Sequence, residues 1–166
     1  MLLPLPPGLE EQQNVTIMNE EVDLPQAEAN RLLKVGKYCL EKRPYLFPSG
    51  GVKLQIPLVS SDKRDEFILD VNSMRLDVKK FSFGTRTQSV ITLARVDITK
   101  GGFHKNPDGV KITEPHIHVY REGFGDKWAE PLPPEFGNVD DIFQVLQYFL
   151  EYCNVIEKPM FAKPLF

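Results

Sequence analysis

The chain's three histidines, His104, His116 and His118, fall within about fifteen residues of one another. An imidazole titrates near neutrality, so it can move a proton or, when neutral, ligate a metal. Arg95, Asp97, Lys105, Tyr120, Arg121, Glu122 and Trp128 stand close by in sequence. Two chemistries fit this set. In one, His116 and His118 serve as general acid and base while Arg95, Lys105 or Arg121 neutralises charge developing on an oxyanion or phosphate. Metal-independent RNA cleavage needs little more. In the other, His116 and His118 project from one side of a strand, Glu122 follows, and His104 arrives from the preceding loop. Those nitrogen and oxygen ligands suit a divalent metal such as zinc, iron or manganese. A plainer reading places the histidines on the wet face of a sheet, hydrogen-bonded to Asp97 or Glu114. Trp128 either seals the core or stacks on a base or ring.

The elements that carry these residues are read from periodicity. In Pro115–Arg121, Ile117 and Val119 face one way and His116, His118 and Tyr120 the other, because side chains alternate across a strand. Val90, Thr92, Ala94, Val96 and Ile98 mark the preceding strand, with Arg95 and Asp97 on its opposite face. The loop from Lys100 to Glu114 holds His104 and Lys105. Upstream, Val52, Leu54, Ile56 and Leu58 form a strand that Pro57 marks as an edge. A polar hairpin loop at 60–65 leads to Phe67, Leu69 and Val71, and Phe81 and Phe83 mark a further strand. Asp23 and Leu24-Pro25 open a helix whose apolar positions Ala29, Leu32, Leu33, Gly36, Cys39 and Leu40 run to Arg43-Pro44. A second helix follows an N-cap at Asn138, with Val139, Ile142, Phe143, Leu146, Leu150 and Cys153 as its stripe. The pattern predicts an α+β fold. An antiparallel meander of about five strands packs on an N-terminal and a C-terminal helix through one face. The other face stays open and gathers Arg95, Asp97, His116, His118 and Tyr120.

A chain of 166 residues, 42% of them hydrophobic, is of a size to fold as one domain without staples. Its net charge of -3 is ordinary, and no apolar run is long enough to cross a bilayer, so no membrane partner is expected. Cys39 and Cys153 fall on apolar stripes, where thiols act as small hydrophobes, and a reduced cytoplasmic setting is expected. Residues 1–17 read as a flexible leader, with Met18 as the natural start of a single domain over 18–166. Residues 75–105 carry seven basic side chains against two acidic ones, a local charge of +5. That stretch suits a phosphate track and an RNA or ribosome partner, although the chain as a whole is acidic. The apolar tail Met160–Phe166 would suit a non-catalytic interaction module of phage or mobile-element origin.

Several segments resemble known families. His116-x-His118-x-x-x-Glu122 is similar to the first metal motif of cupins, though the second motif is missing. The same strand resembles a histidine-triad nucleotide-binding strand, with Tyr120 where the third histidine would stand. Ala94-Arg-Val-Asp-Ile, His104-Lys-Asn-Pro-Asp-Gly and Pro115-His-Ile-His-Val-Tyr-Arg-Glu-Gly-Phe-Gly-Asp-Lys-Trp-Ala, with a helix ending in Tyr152-Cys-Asn, resemble a family of small uncharacterised bacterial proteins over residues 18–166. In layout the chain is more distantly similar to RelE-like ribonuclease toxins of the TumE type. That resemblance implies RNA cleavage without a cofactor and a cognate antitoxin partner. His116 or His118 would then be acid or base, Arg95 and Arg121 would stabilise the phosphate, and Tyr120 would position the substrate. His104, Lys105, Asp97 and Trp128 complete the candidate substrate contacts.

Overall fold

The computed structural model describes residues 23–74, 80–99 and 101–162. The leader, Met18, Arg75, Lys79, Lys100 and the end of the apolar tail lie outside the described residues. In chain order the elements are α1 (Gln26–Lys34), β1 (Lys37–Cys39), β2 (Tyr45–Leu46), β3 (Lys53–Ser60), β4 (Glu66–Ser73), β5 (Phe81–Thr87), β6 (Ile91–Ile98), β7 (Phe103–Lys105), β8 (Lys111–Thr113), β9 (His116–Val119) and β10 (Ala129–Pro131). A 3-10 turn (Pro134–Phe136), α2 (Ile142–Tyr152), β11 (Val155–Glu157) and β12 (Phe161–Ala162) follow.

The fold is α+β. Its main sheet has eight strands in the order β10-β9-β6-β5-β4-β3-β1-β11. All neighbours are antiparallel except β1 and β11, which run parallel. The meander read from sequence corresponds to β3, β4, β5, β6 and β9, and β10, β1 and β11 extend it. The additions are three residues long each, too short to show a period of two.

Alternating apolar residues form one face of this sheet. Ile56, Leu58, Leu69, Val71, Phe83, Val96 and Ile117 pack there with Ala29 and Leu32 of α1 and with Val145, Leu146, Phe149 and Leu150 of α2 in a single core. Each of the valine, leucine, isoleucine and phenylalanine side chains among them, fully buried, contributes about 1.5–3 kcal/mol. Asp141 caps α2, its carboxylate accepting from Gln144 N at 3.1 Å. The expected cap Asn138 instead accepts from Asp140 N in the turn before it.

Three expectations about elements need correction. The first helix stops at Lys34, and Cys39 sits in β1 because Val35 turns extended (ψ 138°) and Lys37–Cys39 pairs with β3. Pro57 lies in an interior strand, its carbonyl accepting from Leu40 N just past the end of β1, where the missing N–H has no ladder to serve. The described start of the apolar tail belongs to the fold, since β12 pairs with β2 and Phe161 packs against Tyr45, Phe47 and Phe143.

Lys37, which no pattern in the sequence marks out, is fully buried. Its Nζ donates to the carbonyls of Leu33 (2.9 Å), Val35 (3.1 Å) and Cys153 (2.8 Å), so one cation closes the C-terminal ends of both helices. Burial pulls this amine down to about 8.

Candidate metal centre

Strand register sets out two polar rows on the sheet face away from the helices. One runs Asn72, Ser82, Asp97, His116, and the other runs Asp70, Gly84, Arg95, His118. The sequence placed Arg95, Asp97, His116 and His118 on one face, and the pairing brings them together. It also expected that face to be open. Instead the β7–β8 hairpin and the 121–128 loop cover the end over β6 and β9, and His116 and His118 are only 2% and 1% exposed.

Asn106 holds this cover in place. It is buried in the hairpin, donating from Nδ2 to Ala129 O at 3.0 Å and accepting from Ala129 N at 2.8 Å, much as a neighbouring strand would. His104 comes down on the pair, with its ring 4.6 Å from that of His118 and 5.9 Å from that of His116.

Asp97 is the hub. Its Oδ2 lies 3.3 Å from His118 Nε2 and 3.7 Å from His116 Nε2. Arg95 Nε donates to both carboxylate oxygens at 3.2 and 3.0 Å, and Ser82 Oγ donates to Oδ1 at 2.8 Å. Burial pushes the Asp97 carboxyl up, but the two imidazoles beside it, the Arg95 charge and the Ser82 hydroxyl outweigh it and hold the group well below the usual carboxylate range. Arg95 also pairs with Asp126.

The tautomers follow from these neighbours. Asp126 O, 2.8 Å from His118 Nδ1, can only accept, so Nδ1 carries the hydrogen. In neutral His118 that leaves a lone pair on Nε2 facing a carboxylate oxygen, which repels unless a proton or a metal cation lies between them. Among the described residues, His118 Nε2 and His116 Nδ1 are buried without a hydrogen-bond partner. Lys127 O fixes His104 in the same way, at 2.7 Å from Nε2. Among the described residues, Asp97, His116 and His118 form a set whose ligand atoms all lie within 4.8 Å of one another.

The other expected site residues stand apart. Tyr120 follows the end of β9, and although its N–H still bonds Leu93 O at 2.9 Å, its side chain turns to α1. Its hydroxyl donates to Asp23 at 2.5 Å and accepts from Leu24 N at 2.7 Å, at the start of α1. Glu122 is not a ligand of the histidine cluster: its carboxylate takes Gln26 N at 2.8 Å, capping a helix whose own N-cap, Pro25, offers no side-chain acceptor. Arg121 pairs with Glu130 and lies 4.3 Å over the half-buried Trp128 ring, while Lys105 is exposed on the hairpin. Of the basic stretch, Arg86 is held by Asp70 and Arg95 by Asp97 and Asp126.

Beside the centre, on the same face, lies a cavity of about 490 Å³ that the sequence did not reveal. Lys53, Asn72, Lys80, Ser82, Asp97 and Glu114 are among its lining residues, so Asp97 belongs to both cavity and centre.

Among the described residues no helix is long and apolar enough to cross a membrane. Neither a curated protein nor a solved structure matches the chain. One family model does match, over residues 24–155, which takes in both helices, the histidine window and the cavity. The chain therefore belongs to DUF6978, a family of unknown function.

Proposed function

We propose that this protein binds a divalent transition metal through Nε2 of His116, Nε2 of His118 and the Asp97 carboxylate, and uses it on a ligand held in the adjoining cavity. The observation that carries this reading is Nε2 of His118, buried and aimed at Asp97 with no hydrogen-bond partner among the described residues while its Nδ1–H is tied to a backbone carbonyl. A carbonyl behind the ring is the usual way a ligating histidine is oriented. Two atoms each bonded at about 2.1 Å to one ion stand about 3.0–3.4 Å apart, close to the 3.3 and 3.7 Å separations here.

Charge balance agrees: Asp97 and Asp126 against Arg95 leave one negative charge to receive a cation. Two imidazoles and a carboxylate suit zinc, iron(II) or manganese, and three protein ligands leave positions for water or substrate. The acid–base ribonuclease reading draws less support, because an acid or base must come within hydrogen-bond reach of its substrate. His116 and His118 lie under a hairpin, and Tyr120 is engaged at α1.

Purified protein incubated with zinc, iron(II) or manganese and then desalted should retain about one equivalent of one of them by mass spectrometric metal analysis. His118→Ala and Asp97→Asn, folded by circular dichroism, should retain less than about a tenth as much. Wild-type protein that retains none of the three would end the metal reading.

A further inference from the structure

The cavity beside the centre has features of its own. Asn72 Oδ1 and Glu114 Oε2, on two of its lining residues, are buried without a hydrogen-bond partner among the described residues. Both atoms are acceptors, so a well-matched occupant brings O–H or N–H donors to them. Other lining groups are donors: the ammonium groups of Lys53 and Lys80, with the hydroxyls of Ser73 and Thr99, can donate to an anion, whereas the Ser82 hydroxyl is already given to Asp97. A volume of about 490 Å³ is in the range of small-molecule sites.

An anion alone would leave the buried acceptors unanswered. A neutral polyol would leave the two lysines unused. We infer that the cavity binds a hydroxylated phosphate ester, of the sugar-phosphate or nucleotide class, with its phosphate at Lys53 and Lys80 and its hydroxyls at Glu114 and Asn72. The carboxylate is a common partner for sugar hydroxyls because it accepts from two neighbours at once.

Only the direction of the ligand's reactive end, toward Asp97, rests on the metal reading. The pocket chemistry stands without it, since no metal-binding atom is assigned to the phosphate or the hydroxyls. Lys53 is exposed, so replacing it leaves the fold alone.

Ribose 5-phosphate, inorganic phosphate and ribose are titrated calorimetrically into chelator-treated and metal-loaded protein. Ribose 5-phosphate should bind at least tenfold more tightly than either fragment in both preparations. Lys53→Glu should weaken ribose 5-phosphate and inorganic phosphate alike by tenfold or more. Glu114→Gln should weaken ribose 5-phosphate several-fold and spare inorganic phosphate. Absence of saturable ribose 5-phosphate binding at millimolar concentration, or binding that neither variant changes, would overturn the inference. Binding with the stated variant pattern in protein that retains no metal would uphold the cavity and refute only the centre.

Discussion

At the scale of the residue, the centre depends on which nitrogen carries the hydrogen. Asp126 O settles that for His118, and the same loop, through Lys127 O, settles it for His104. His118→Gln retains a polar side chain but cannot bond that carbonyl and present a lone pair to Asp97 in the same geometry. It is expected to lower metal retention by at least tenfold. Asp23 supports a second single-residue prediction. The hydrogen bond from Tyr120 and that from Gly123 N hold its carboxyl below the ordinary value. A carboxylate with a depressed folded pKa adds stability that is present above the unfolded value, near 4, and is lost as pH falls toward the folded one. In Asp23→Asn the loss of stability below about pH 4 should therefore be shallower than in the wild type, as read by urea titrations from pH 5 to pH 2.5.

At the scale of the element, the short β7–β8 hairpin makes a polar sheet face into a closed centre. Asn106 fastens it, and Asn106→Ala leaves both backbone groups of Ala129 unpaired. The expected cost is about 2–4 kcal/mol. Hydrogen exchange at the β9 amides should quicken in this variant more than in the distant β3. The β5–β6 turn is a separate test of local chemistry. Gln88 and Ser89 both adopt positive φ, at 49° and 64°, where a non-glycine residue costs about 1–2 kcal/mol. Ser89→Gly should raise stability by about 0.5–1 kcal/mol, the strain removed less the entropy that glycine brings. A lower melting temperature for that variant would count against the strain argument.

At the scale of the whole molecule, strands of seven or eight residues were legible because alternation over that length has no helical equivalent. Gly36, Cys39 and Leu40 fitted a helix because a short run satisfies both periods, and only the pairing of β1 with β3 decides between them. The shared face of Arg95, Asp97, His116 and His118 was legible for the same reason. Their burial was not, because a three-residue hairpin arm such as Phe103–Lys105 leaves no periodic trace. Tyr120 and Glu122 were misplaced for a related reason: β9 ends at Val119, and the side chains of Tyr120 and Glu122 answer to the start of α1.

Lys37 has a practical corollary. An amine enclosed by three carbonyls and the Phe67 ring cannot meet an acylating reagent while both helices stay seated on the sheet. Lysines on the surface modify on the time scale of the reagent; this one must wait for the molecule to open. Its acetylation, followed by peptide mass spectrometry, should track the rate of global unfolding and accelerate steeply with temperature. A single side chain thus serves as a built-in clock for how often the whole fold comes apart.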